Sequence, residues 1–170
     1  MAVVYFIADT HFGDDSIRKY ENRPFDSAER MDDALIQRWN AAVQEDDTVY
    51  VLGDFSVLGK ENAVLNRLNG KKYLVKGNHD TESNEYYRRA GFCEVYDHPV
   101  VLDGFWILSH EPLYVNTNMP YANLFGHVHR SPVYRDYSPQ HYCVSAERID
   151  YTPIAFDRIK LAVQKAASDT

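Results

Sequence analysis

Five short runs of β-branched and aromatic residues punctuate the chain, each cut off by small or polar residues. They are Val3–Ala8, Asp47–Gly53, Lys71–Gly77, Phe105–Ser109 and, with a weaker pattern, Ala122–Gly126. The segment from His141 to Ile149 is a further β candidate. Between several of these runs the apolar spacing lengthens to three or four residues. Met31, Ala34, Leu35, Trp39, Ala42 and Val43 fall on one helical face, with Asp26 as the expected N-cap and Glu29 three residues on. Lys60–Gly70 predicts a short helix closed by Gly70, and Ser83–Gly91 another closed by Gly91. A C-terminal helix over Phe156–Ala167 aligns Ile159, Ala162, Val163 and Ala166. Strands alternating with helices predict an α/β domain whose sheet is largely covered.

At 170 residues the chain is long enough to bury a real core, and the expectation is one domain over residues 1–170. No repeat, low-complexity tract or linker divides it. The net charge of −7 supplies no bulk cationic field, which argues against an extended duplex nucleic acid as partner. A phosphate-bearing partner must then be drawn in by a local positive centre. Cys93 and Cys143 stand alone without CxxC spacing, so the expected compartment is the reducing cytoplasm. The run Ala2–Ala8 has no basic flank and stops at Asp9, unlike a secretory signal, and no run has the length of a membrane span.

Chemistry collects where the strand runs end. Asp9 and His11 follow the first run and Asp54 the second. Asn78 and His79 follow the third, His110 the fourth, and His127 and His129 the fifth. Each signal alone has a plain reading as turn or cap chemistry. Their joint occurrence at five strand ends does not, because open α/β sheets gather their sites at the carboxyl edge. Asp9, His11, Asp54, Asn78, His110, His127 and His129 make seven prospective ligands. A structural zinc closes with four, so seven fit two ions if one carboxylate bridges. Imidazole and oxygen donors without thiolate favour manganese, iron, zinc or nickel over copper(I) or an iron–sulfur cluster. Two such cations would supply the missing positive centre.

The order D-x-H, GD, GNHD, lone His, GHxH from Asp9 to His129 resembles the calcineurin-like metallophosphoesterases. The stretches "IADTHFG", "NRPF" and "DDTVYVLGDFS" are similar to the small stand-alone bacterial and phage branch of that superfamily. The resemblance implies a four-layer αββα sandwich of the metallo-dependent phosphatase type with a dinuclear site. It implies that Asp9, His11, Asp54 and His129 hold one divalent metal and Asp54, Asn78, His110 and His127 the other, with manganese as the leading choice. It further implies hydrolysis of a phosphodiester or small phosphate ester by a hydroxide bridging the two ions. His79 is left free of metal to act on the leaving group. A scaffold that binds metal without catalysis is the alternative.

The block "GDFSVLG" places Val57 where protein serine/threonine phosphatases carry a second aspartate, so Asp80 is the remaining candidate to orient His79. Asp14 and Asp15 stand where many relatives carry a histidine, and read either as turn residues or as modifiers of substrate entry. Arg18, Arg23 and Arg130 are weak candidates for phosphate binding, with surface charge as the plainer reading. The short chain leaves little room for a cap domain, which predicts an open groove for a small phosphate ester such as a nucleotide.

Overall fold

The β-rich runs become strands because β-branched and aromatic side chains pack well on a pleated surface. The computed structural model describes residues 2–116, 118–131 and 139–168. Strands β1 (Val4–Ile7), β2 (Thr48–Val51), β3 (Lys71–Val75) and β4 (Glu94–Tyr96) form a first, parallel sheet in the order β4-β3-β2-β1. A second sheet runs in chain order through β5 (Val100–Leu102), β6 (Trp106–Leu108), β7 (Ala122–Phe125) and β8 (His141–Cys143). Here β5 is antiparallel to β6 and the other neighbours are parallel. A two-residue strand, β9 (Ile154–Ala155), adds antiparallel to the free edge of β1. Its helices are α1 (Asp15–Tyr20), α2 (Ala28–Ala42), α3 (Glu61–Leu65), α4 (Asn84–Ala90) and α5 (Phe156–Ser168).

The period of two along each strand divides the core. Ile7, Val49, Val51 and Leu74 face one side of the first sheet and pack with Met31, Leu35 and Trp39 of α2, Val64 of α3 and Tyr87 of α4. Phe6, Ala8, Leu52 and Val75 face the other side and meet Trp106, Leu108, Ala122 and Leu124 of the second sheet. Phe156, Ile159 and Val163 of α5 join that second cluster. The molecule is therefore a mixed α/β fold of two stacked sheets flanked by helices, as the sequence resemblance implies. Among the described residues no helix is long and apolar enough to cross a membrane.

Three local expectations are corrected. The N-cap of α2 is Ser27, whose hydroxyl accepts from the Arg30 amide at 3.2 Å, while Asp26 is exposed one residue earlier. Helix α3 stops at Leu65 rather than running to Gly70. The chain tightens into turns there, with Arg67 N on Val64 O at 2.8 Å and Leu68 N on Leu65 O at 3.3 Å, and Lys72 from β3 donates to the carbonyls of Leu65 and Leu68 at 3.3 and 2.7 Å. The β pattern from His141 to Ile149 holds only to Cys143. Ser145 then bridges to Ala8, and Ala146–Arg148 turns as a 3₁₀ segment. Strands β4 and β5 and helix α1 escape the sequence pattern because three to six residues are too few for a period to register.

The cap assignment has a direct check. Ser27→Ala should lower the unfolding free energy by about 1 kcal/mol, and Asp26→Ala by less than about 0.5 kcal/mol. Urea denaturation followed by circular dichroism measures both, and equal losses would contradict the assignment.

Candidate metal centre

The carboxyl ends of β1, β2 and β7 share an unusual backbone. Asp9, His11, Asp54, His127 and His129 have φ of 57, 49, 54, 68 and 47°. The left-handed region costs a non-glycine residue roughly 1 kcal/mol or more, and such residues gather where surrounding structure enforces them for function. Here the enforcement comes from a cross-linked turn layer. The Asp9 amide donates to Gly53 O and the His11 amide to Asp54 O, both at 3.0 Å. Gly77 lies so near Asp54 that a Cβ there would fall 2.2 Å from Asp54 Oδ1. Its φ is not positive, so close approach rather than left-handed geometry is what requires glycine.

These turns gather donor atoms into two groups that meet at one carboxylate. A carboxylate oxygen of Asp9 and ring nitrogens of His11 and His129 all lie within 4.8 Å of one another, as do those of Asp54, His110 and His127. Asp54 Oδ2 stands 3.6 Å from His11 Nε2 and 3.4 Å from His110 Nε2, between the groups. Asn78 Oδ1 lies 3.0 Å from both His110 Nε2 and His127 Nδ1. Each group draws residues from both sheets. All seven prospective ligands thus come together at one edge.

Proton bookkeeping shows that the cluster suits a cation. His110 Nδ1 lies 2.9 Å from the Leu52 carbonyl, which only accepts, so Nδ1 carries the hydrogen. In neutral His110 the Nε2 lone pair then faces the oxygens of Asp54 and Asn78. His11 Nε2 is buried and, among the described residues, has no hydrogen-bond partner. Lone pairs converging without a proton to share repel unless a positive charge sits among them.

Without metal, the cluster shifts its own protons. Burial disfavours the His110 cation, yet the Asp54 hydrogen bond and the Asp9 charge outweigh it and raise its pKa to about 9. Burial pushes Asp54 up, but His110 and His11 prevail and bring it to about 2. Burial dominates at the other two, raising Asp9 to about 6 and lowering His11 to about 3. Imidazole, carboxylate and amide donors without thiolate fit a divalent first-row metal.

The remaining candidates separate. Asn78, His79 and His127 are exposed, whereas Asp9, His11, Asp54 and His110 are buried. The His79 amide donates to Asp54 Oδ1 at 2.9 Å, and its ring sits 5.3 Å from that of His11 with no hydrogen-bond partner among the described residues. Asp80 does not orient that ring. Its Oδ2 accepts from the amides of Asp54 and Gly77 at 2.7 and 2.9 Å, and Oδ1 from the Phe55 amide at 3.2 Å. A buried carboxylate is held by whatever donors surround it, and here those are turn amides.

Asp14 caps α1, accepting from the amides of Ser16 and Ile17, and Asp15 pairs with Arg18 and Lys19. Arg18 is thereby engaged, and the exposed Arg130 donates to the Tyr151 hydroxyl at 3.4 Å. Arg23 is no surface charge: it is buried and pairs with Glu147. Glu147, which in turn touches His129, was missed because a lone acid in a β-like run carries no spacing signal.

A family model described as calcineurin-like phosphoesterase matches residues 2–153. An uncharacterized protein of Methanocaldococcus jannaschii is 33% identical over 97% of this chain and 93% of its own length. The Gene 66 protein of Mycobacterium phage L5 is 34% identical over 47% of this chain and 41% of its own. Among solved structures, a protein of unknown function from Aquifex aeolicus superposes with a TM-score of 0.73 at 26% identity, covering 95% and 99% of the two chains. The nuclease MPE of Pseudomonas putida gives 0.52 at 25% identity, over 74% of this chain and 61% of that one.

Because His110 holds its proton up to about pH 9 in the metal-free cluster, and against burial Glu147 and Asp9 raise His129 as well, cation uptake at pH 7 should expel at least one proton per chain. Apparent affinity should therefore climb between pH 7 and about 9 and flatten above. Titration calorimetry in two buffers of different ionisation enthalpy measures the release, and an affinity flat across that range would contradict the scheme.

Proposed function

The chain belongs to the calcineurin-like phosphoesterase family, and from that premise we propose that it hydrolyses a small phosphodiester with the help of two divalent cations. The observation that carries the reading is the Asp54 carboxylate standing between two imidazole-rich groups at 3.6 and 3.4 Å. Asp9, His11, Asp54 and His129 would hold one cation, and Asp54, Asn78, His110 and His127 the other. Manganese is the leading choice, and iron, zinc or nickel suit the same donors. When bound, such cations supply a positive field for phosphoryl oxygens and lower the pKa of a bound water.

The chain's own residues do the rest. Asn78, His79 and His127 are exposed at the rim, which supports an open site able to receive a small ester such as a nucleotide. The His79 ring, free of hydrogen bonds within the described residues and tethered only through its backbone amide, is placed to give a proton to the departing alkoxide. The peptide tether to Asp54 fixes the His79 backbone beside the shared carboxylate, within side-chain reach of the edge. The superposition on a protein named as a nuclease supports a diester over a monoester. Two free cysteines, Cys93 and Cys143, support a reducing compartment such as the cytoplasm.

Assay of the manganese-loaded protein should show turnover of bis(p-nitrophenyl) phosphate above that of p-nitrophenyl phosphate. No turnover of either with metal bound would favour a scaffold. His79→Ala should leave metal content unchanged while diester turnover falls roughly 10²-fold or more. Loss of metal in that variant would show that His79 is a ligand instead.

A further inference from the structure

The side chains of Arg23 and Glu147 are both fully buried, and 124 residues separate them. Glu147 Oε1 accepts from Arg23 Nε at 2.8 Å, lies 2.6 Å from Nη2 as an ion pair, and faces His129 Nδ1 at 3.0 Å. The same guanidinium donates through Nη2 to the Asp9 carbonyl at 2.6 Å and through Nη1 to the Thr10 carbonyl at 2.8 Å. One cation thus grips the turn that carries Asp9 and His11, while its carboxylate partner grips the ring of His129.

Burying such a pair gains little for stability, since desolvation offsets most of the attraction, so its presence calls for another account. The geometry supplies one. A carboxylate only accepts, so His129 Nδ1 must carry the hydrogen, which in the neutral ring leaves the Nε2 lone pair for a cation. The Arg148 guanidinium adds a donor to the His129 carbonyl at 2.6 Å, fixing the backbone of the same residue.

We propose that Arg23 and Glu147 are positioning residues that fix the tautomer and aim of His129 and lock it in register with Asp9 and His11. The inference rests on the reading that Asp9, His11 and His129 hold one of the two cations. Neither residue touches substrate. Their effect reaches the chemistry only through the first cation, so the second group should be indifferent to them.

Three measurements test this. In the wild-type protein loaded with zinc, long-range ¹⁵N–¹H spectra should report His129 as the Nδ1–H tautomer, and an Nε2–H tautomer overturns the proposal without any variant. Manganese titration of Glu147→Gln should weaken one of two binding equivalents about 10- to 100-fold and leave the other unchanged. The electron paramagnetic resonance spectrum at low manganese should then change from spin-coupled to mononuclear. The double variant Arg23→Met, Glu147→Met removes both buried charges and should fold with a cooperative melt, yet show the same single loss. Wild-type affinity at both equivalents in the folded variants would mean that the pair serves packing alone. If instead the wild type binds no cation, or His11→Ala leaves uptake intact, the underlying site reading fails and not merely this addition.

Discussion

The Asp54 carboxylate is the fixed point of the site. Its backbone amide is held by Asp80, its Oδ1 receives the His79 amide, and its Oδ2 faces His11 on one side and His110 on the other. The residue sits in a left-handed conformation that β-strand geometry does not favour, and Gly77 has no side chain so that it can. Both sheets converge on this one group. The stability of the turn layer and the chemistry at the edge are therefore a single problem: a strained backbone is retained because the carboxylate it presents has partners in every direction.

Much of this was readable in the residues. The five strand runs, their order and the donors that close them are local patterns, and each found its place at one edge of two sheets. The stacked-sheet architecture followed from the resemblance. What escaped was whatever depends on partners far apart in the chain. Asp80 was assigned to the histidine beside it, whereas its oxygens serve the amides of Asp54, Phe55 and Gly77. Arg23 read as surface charge because nothing near it in sequence hints at Glu147. Ser27 displaced Asp26 as a cap by one residue, a margin that propensity does not resolve.

The electrostatics invert a first impression from composition. An acidic chain with a net charge of −7 is an unpromising host for anions. Yet at the edge, carboxylates and imidazoles are concentrated where burial makes a cation a favourable occupant, and Arg23 adds a fixed positive charge beneath. The acidity is thus a means of collecting positive charge at one place.

Each donor group takes members from both sheets: Asp9 and His11 with His129, and Asp54 with His110 and His127. Neither group exists, then, in the first half of the chain. A ribosome that has released the first parallel sheet has released Asp9, His11 and Asp54 without His110, His127 and His129. The pocket closes only once the second sheet has docked and residue 129 has emerged. Any selection among ions would then fall to the finished fold, where donor geometry rather than raw affinity discriminates.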